Sequence, residues 1–480
     1  MILYILSYVL EIEGFLMLLP CLIAVIFRET TGFVYLGCAA LCLALGFWGT
    51  KIKKPKNTNI YRKDGMATVA LSWLVMSFFG CIPFVITKEI PNFIDAMFEI
   101  VSGFTTTGAS ILTDVEALTH TSLLWRSFSH WVGGMGVLVF VLIFIPASAG
   151  TGSQMNLMRA ESPGYDITKL VPTLRDTAKI LYKLYLVITV TELVLLLISR
   201  MYWFDAVCIT FGTAGTGGFG VLNSSCGDYT ALQQVIITVF MIAFGVNFSF
   251  YFLISIKKFK SAVMMEEVRA YILIILGAGL LITWNTCRMY SGGVLEALRH
   301  AFFQVGSIIT TTGFSSTDFD QWPSLSKYVL IMLMCIGACA GSTGGGIKVS
   351  RVLVYVKVQK RRIERYIHPH TIEKVRMDGE ALPEHNISTI MVFLATYVLI
   401  FMLTIFIISF DGFSFETNFT AVAATLNNIG PGLAAVGPTC NYSAYSMLSK
   451  VFLIFNMLAG RLEIFPMLVL FYPPTWRKNF

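Results

Sequence analysis

Charged side chains are scarce in this chain: Asp, Glu, Lys and Arg together make up 13% of its 480 residues, where soluble domains carry about 25%. A mostly solvated surface is excluded, and with it an ordinary soluble enzyme. Metal-ligand spacing is missing as well. The ten cysteines form no CxxC pair and no Cys/His cluster, and Cys21, Cys38, Cys42, Cys335 and Cys339 fall inside apolar runs, where they act as small fillers. No HExxH and no Ser/His/Asp set marks a catalytic face, so an enzyme is not expected. No ATPase motif occurs, so any nucleotide dependence has to arrive with a partner. Gly215-Thr216-Gly217-Gly218-Phe219-Gly220 fits GxGxxG by letter only, since no strand precedes it. A basic region ahead of the first apolar run is lacking too, and Glu11 and Glu13 interrupt that run; the first segment is expected to stay in the mature protein.

Apolar length is what the chain has in excess. Hydrophobic residues make up 56% of it, and the mean hydropathy is +0.72. Runs of the roughly 20 residues needed to cross a bilayer lie near 2–27, 31–50, 66–88, 124–147, 178–200, 229–256, 268–290, 327–358, 387–410 and 445–473. Basic residues gather in every second connection. These are Lys51, Lys53, Lys54, Lys56, Arg62 and Lys63; Arg159, Lys169 and Arg175; Lys257, Lys258 and Lys260; and Lys357, Lys360, Arg361, Arg362, Arg365, Lys374 and Arg376. The positive-inside rule makes these connections cytoplasmic, which predicts a multi-pass protein of a bacterial inner (plasma) membrane with both termini inside. Because each basic run abuts a span, anionic lipid is a better partner for it than nucleic acid.

Four short glycine-bearing loops lie between the long runs: Thr105-Thr106-Thr107-Gly108, Thr216-Gly217-Gly218-Phe219, Thr310-Thr311-Thr312-Gly313 and Asn427-Asn428-Ile429-Gly430. Each follows an amphipathic stretch of about ten residues, such as 95–104 or 300–309, half of what spanning needs. With the four glycines aligned, the residues thirteen positions earlier are Asp95, Asp205, His300 and Thr417, which the sequence offers as helix N-caps. The pattern predicts an all-α polytopic membrane protein. Four pseudo-symmetric span–pore helix–span repeats, near 64–150, 176–262, 266–362 and 385–476, surround one pore, behind two extra N-terminal transmembrane helices. The corresponding divisions of the chain are 1–63, 64–150, 151–262, 263–384 and 385–480.

Non-helical backbone at membrane depth is tolerated only where it is buried in protein or lines a wet cavity, so the four loops need a shared polar axis. A short helix entering from outside turns its negative C-terminal end toward the membrane centre and favours a cation there. Oxygen-only coordination without carboxylates suits a monovalent one, potassium ahead of sodium. The expected filter is Thr106, Thr107 and Gly108; Gly217 and Gly218; Thr311, Thr312 and Gly313; and Asn428, Ile429 and Gly430. Flanking hydroxyl and amide groups either add oxygens or buttress the loops.

A second glycine cluster, Gly341-Ser342-Thr343-Gly344-Gly345-Gly346-Ile347-Lys348, interrupts the eighth run. Each glycine inside a helix costs about 1 kcal/mol relative to alanine, so the segment breaks the span, either as an intramembrane gate under the filter or as close helix packing through small residues. Arg461 in the last run is read as a fixed charge contacting this segment, with a local pair to Glu463 or snorkelling as the alternatives. His130 reads as an ordinary interior histidine, with a role in protonation-linked transport as the other reading. Glu11, Glu13 and Glu192 read as helix-to-helix hydrogen-bonding groups, with a proton or sodium site as the other reading.

With its four loops, the broken eighth span and two leading spans, the chain resembles the membrane subunit of the Trk/Ktr/HKT potassium-uptake superfamily, specifically the TrkH type. The resemblance implies gated potassium uptake driven by membrane potential, with the potassium ion as cargo and no cofactor. It further implies a homodimer and a cytoplasmic, nucleotide-binding RCK regulator of the TrkA type. Proton- or sodium-coupled symport through the same filter is the alternative. The second and fourth loops depart from the Thr-rich pattern of the other two, so the pore is expected to be only approximately fourfold.

Overall fold

The structure, a computed structural model, describes residues 1–52, 62–136, 174–369 and 374–477. The expected inner part of the fourth span, the basic residues Arg159 and Lys169, and Lys53, Lys54 and Lys56 lie outside the described residues.

Helices α1 (Ile2–Leu16) and α2 (Leu18–Phe27) run as one apolar stretch, and α3 (Thr31–Ile52) returns beside them. Arg28, in the left-handed region at φ 57, makes the turn. α1 and α3 approach closely: a Cβ on Gly46 would stand 2.8 Å from the Ser7 carbonyl oxygen, and Thr50 donates to Glu11 across the contact at 2.7 Å.

One order of elements then recurs. First come α4 (Arg62–Ile86), α5 (Phe93–Phe104) and α6 (His120–Gly134). Next come α7 (Leu174–Ile198), α8 (Trp203–Gly215), α9 (Ala231–Phe244) and α10 (Phe248–Ser255). After the short α11 (Phe259–Val263) follow α12 (Glu266–Thr286), α13 (Gly293–Ile309), α14 (Ser324–Ile336) and α15 (Val349–Ile367). A small antiparallel hairpin, β1 (Arg376–Met377) and β2 (Glu380–Ala381), leads to α16 (Glu384–Ile408), α17 (Phe415–Leu426), α18 (Met447–Arg461) and α19 (Phe465–Phe471). The short helices α5, α8, α13 and α17 are enclosed, buried nearly throughout their C-terminal halves. The long helices present Leu273, Leu280, Trp284, Leu399 and Met402 outward, as lipid-facing surfaces do.

Among the described residues, six helices are long and apolar enough to cross a membrane, and α9 with α10, bent by 90°, makes a seventh if taken as one span. The remaining expected spans are not single helices. α6 ends at Gly134, the eighth run breaks between Ile336 and Val349, and the tenth breaks between Arg461 and Phe465. Mean hydropathy over a window does not register a change of chain direction inside an apolar run, so the sequence announced only the glycine-rich break.

The N-cap assignments are corrected. Asn92 caps α5, accepting from Ile94 N at 2.9 Å, and Ser414 caps α17. α8 and α13 start after Tyr202 and Gly292 without a side-chain cap. Asp95, Asp205 and Thr417 stand inside the first turn and His300 two turns in. The four helices have 12, 13, 17 and 12 residues rather than about ten. The thirteen-residue spacing therefore marks equivalent positions on the helices, not their starts.

Candidate ion filter and gate

Each short helix ends in the same way. Thr106, Thr216, Thr311 and Asn428 adopt the left-handed conformation at φ 55, 54, 59 and 56. The next residue's N–H returns to a carbonyl five positions back, each time at 2.8 Å: Thr107 to Ser102, Gly217 to Gly212, Thr312 to Ser307 and Ile429 to Ala424. This is the Schellman ending of a helix, usually built on glycine. A β-branched threonine there is a conformational outlier, and strain of this kind is of order 1–3 kcal/mol per residue. It occurs three times at one place in the fold, always held by the same bond.

One residue further on, Gly108, Gly218, Gly313 and Gly430 also have positive φ, at 77, 83, 86 and 98. A Cβ on Gly108 would stand 2.2 Å from the Gly217 oxygen, one on Gly218 2.1 Å from Thr312 O, one on Gly313 2.0 Å from Ile429 O, and one on Gly430 2.6 Å from Thr107 O. The four contacts run in one direction and close on themselves. A cavity of about 150 Å³ beside them is lined by all four glycines together with Arg126, Phe219 and Tyr442.

The neighbouring side chains mostly buttress the loops. Thr105 and Thr107 share a hydroxyl hydrogen bond at 2.7 Å, as do Thr310 and Thr312. Asn428 Nδ2 donates to Thr107 Oγ1 at 3.0 Å and to Met457 O at 2.8 Å, tying the fourth loop to the first.

Residues Gly337 to Lys348 form an extended loop whose glycines press on the ends of α13 and α17. A Cβ on Gly344 would lie 2.8 Å from Thr310 O, and one on Gly345 2.5 Å from Asn427 O. Gly345 N–H donates to Thr311 Oγ1 at 2.6 Å. Lys348 Nζ, buried, donates to Gly344 O. Arg461 Nη1 donates to Thr343 O at 2.7 Å, while its Nη2 reaches Gly133 O and Gly134 O at 2.5 and 2.8 Å. The arginine thus joins the loop to the end of α6. Glu463 is paired with Arg351.

The TrkH family, described as cation transport proteins, matches residues 34–477. The chain belongs to the TrkH family. It is 36% identical over 473 residues to the Trk system potassium uptake protein TrkH of Salmonella typhimurium, covering 96% of each chain. It is 33% identical to the protein of the same name from Halomonas elongata, covering 100% of this chain and 99% of the other. The crystal structure of the potassium transporter TrkH from Vibrio parahaemolyticus superimposes with a TM-score of 0.88 at 31% identity, covering 99% of both chains.

Of three groups around the loops of this TrkH-family chain, two were not singled out by sequence and the third, His130, was read without a role at the loops. Glu99 of α5 and Arg126 of α6 form a buried ion pair at 2.8 Å. Glu99 also accepts from Ile111 N–H and the Ser110 hydroxyl, and Arg126 lies 4.1 Å over the Phe219 ring, so the pair links the first loop to the second. His130, read as an ordinary interior residue, bridges the same two loops: Nδ1 lies 2.7 Å from Gly103 O and Nε2 3.2 Å from Phe219 N. A carbonyl only accepts and an amide N–H only donates, so these partners fix a neutral ring with its proton on Nδ1. Glu267 at the start of α12 accepts from Ala340 N–H at 2.7 Å and Ser350 N–H at 3.1 Å with one oxygen, clasping both ends of the glycine loop. All three depend on contacts between separate helices, for which hydropathy carries no signal. Of the glutamates, Glu11 makes the expected interhelical bond, whereas neither oxygen of the fully buried Glu13 and Glu192 has a hydrogen-bond partner among the described residues.

Proposed function

We propose that this chain is the membrane subunit of a potassium-uptake system, passing K⁺ down the membrane potential through a pore made by the four glycine loops. The observation that carries it is the closed cycle of contacts from each glycine to the carbonyl before the next. Such a ring leaves room for backbone only and presents oxygens to a shared axis, which is how a desolvated monovalent cation is held. The filter is assigned to Thr106, Thr107, Gly108, Gly217, Gly218, Thr311, Thr312, Gly313, Asn428, Ile429 and Gly430, within four repeats that follow two extra N-terminal helices. The driving force is about 2.3 kcal/mol per charge per 100 mV.

The gate is assigned to residues 341–346 with Lys348 and Arg461. Both cations neutralise loop carbonyls directly beneath the filter, and an arginine's five donors suit three carbonyls from two elements. We place the chain in a bacterial inner membrane with both termini cytoplasmic, as a homodimer regulated by a nucleotide-binding RCK partner. The regulator surface is narrower than charge alone suggests. Of the seven basic residues, Arg361 is buried and paired with Glu384 and Lys357 is paired with Glu266, leaving Lys360, Arg362, Arg365, Lys374 and Arg376 exposed, the first three near the exposed Ile363, Tyr366 and Ile367. The test is potassium uptake in a transport-deficient cell with and without an RCK-type partner. Uptake that never exceeds the empty-vector rate with either arrangement overturns this function.

A symport reading draws on one observation, the buried carboxyls of Glu13 and Glu192, whose oxygens have no hydrogen-bond partner among the described residues. Reversal potentials that follow the proton or sodium gradient would select it over passive flux.

A further inference from the structure

The residue two positions before each filter glycine holds the left-handed position that ends its helix: Thr106, Thr216, Thr311 or Asn428. Their polar atoms are used differently. Thr106 Oγ1 and Asn428 Oδ1 are buried and have no hydrogen-bond partner among the described residues. Thr216 donates to its neighbour's carbonyl, that of Gly215, at 2.6 Å. Thr311 Oγ1 accepts the N–H of Gly345, at the tip of the 337–348 loop, at 2.6 Å. The same tip faces Asn428, whose Oδ1 would lie 3.3 Å from a Cβ on Gly345.

An amide N–H turned on a hydroxyl oxygen presents its positive end where a coordinated cation would stand. At the two residues before this N–H, Lys348 Nζ binds Gly344 O and Arg461 binds Thr343 O, so two basic side chains hold the same loop tip. A potassium ion at the Thr311 hydroxyl would lose an oxygen ligand and meet the positive end of that amide.

We propose that the loop tip and a potassium ion compete for the Thr311 hydroxyl, so that loop closure and occupancy of that filter position exclude each other. This rests on the filter and gate assignments above and adds a regulator to them, the transported ion. Potassium binds the open arrangement better, and by linkage it must shift the loop toward that arrangement. Flux should then rise more steeply with potassium than simple saturation allows.

The test is hydrogen–deuterium exchange of the peptide covering 338–348 in the purified full-length chain, in potassium chloride against N-methyl-D-glucamine chloride at equal ionic strength. Exchange is expected to rise several-fold in potassium. Thr311→Val keeps the β-branch and removes the acceptor; it should raise exchange about five-fold in both salts, the loss of one ordinary hydrogen bond, and abolish the potassium response. Thr311→Ser keeps the hydroxyl and should keep the response. Equal exchange of the wild-type loop in the two salts overturns the inference, and so does a Thr311→Val protein that still responds. If Thr311→Val does not assemble, the wild-type comparison alone decides. The filter assignment is judged separately by the potassium-over-sodium selectivity of Gly313→Ala: lost selectivity together with a salt-independent loop sinks only the competition.

Discussion

The four loops that end the short helices and the breaks in the helices that follow them lie against one another, yet they differ in kind. The loops are near copies. A left-handed residue, a 2.8 Å return bond and a glycine of positive φ recur in Thr-Thr-Thr-Gly, Thr-Gly-Gly, Thr-Thr-Thr-Gly and Asn-Asn-Ile-Gly sequences. The breaks are unlike. Among the described residues, α9 turns by 90° around Gly245 to Asn247, α18 stops at Leu462 to Ile464, and between α14 and α15 a twelve-residue loop, 337–348, intervenes. On the filter assignment proposed above, the four loops face one ion, which would constrain them to present the same backbone. The proposed gate needs one obstruction, and four would crowd the axis, which accounts for the asymmetry of the breaks.

The largest expected effect breaks the likeness of the loops from behind. Arg126→Ala leaves Glu99 buried and unpaired, a loss of about 3–5 kcal/mol, and should lower the thermal unfolding midpoint more than any single change in the 337–348 loop. An unchanged midpoint would mean that the pair does not hold the first two loops together. Gly313→Ala comes next. Its φ of 86 and the 2.0 Å approach to Ile429 O force the ring open, and flux or potassium selectivity should fall by about a hundredfold, the equivalent of the upper range of backbone strain. Gly277→Ala, where a Cβ meets nothing within 4 Å, is the matched control and should transport normally.

On the gate side the sign reverses. Arg461→Ala removes donors from Thr343, Gly133 and Gly134, and with charged hydrogen bonds worth about 1.5–3 kcal/mol it should raise partner-free flux in proteoliposomes roughly tenfold. Arg461→Lys, a single compact charge, should fall between the two. An unchanged rate in Arg461→Ala makes the loop a packing device. The smallest effect is expected at the clasp. Glu267→Ala frees the N–H groups of Ala340 and Ser350 and should raise basal flux about threefold, whereas Glu267→Gln retains the accepting oxygen and should raise it less. Equal rates for Ala and Gln would show that the Glu267 charge, not its accepting oxygen, holds the loop.

Composition, hydropathy and repetition were enough for the membrane class, the positions of the loop glycines and the glycine-broken eighth run, because each is a property of consecutive residues. Glycine 108, 218, 313 and 430 are legible because no other residue type suits such a φ at such a contact. Helix starts were misplaced, since Asp95, Asp205, His300 and Thr417 mark equivalence along the repeats and not capping. The sharp bend at Gly245 to Asn247 and the stop after Arg461 were invisible, as the flanking residues are as apolar as those of an unbroken span. Tertiary structure alone decided that Arg461 faces Thr343 rather than Glu463, that His130 spans two loops, that Glu99 meets Arg126, and that Gly345 reaches Thr311. Each of these joins groups from different helices, and which groups meet is set by helix packing. The linear sequence records the groups themselves, but not the distances between them.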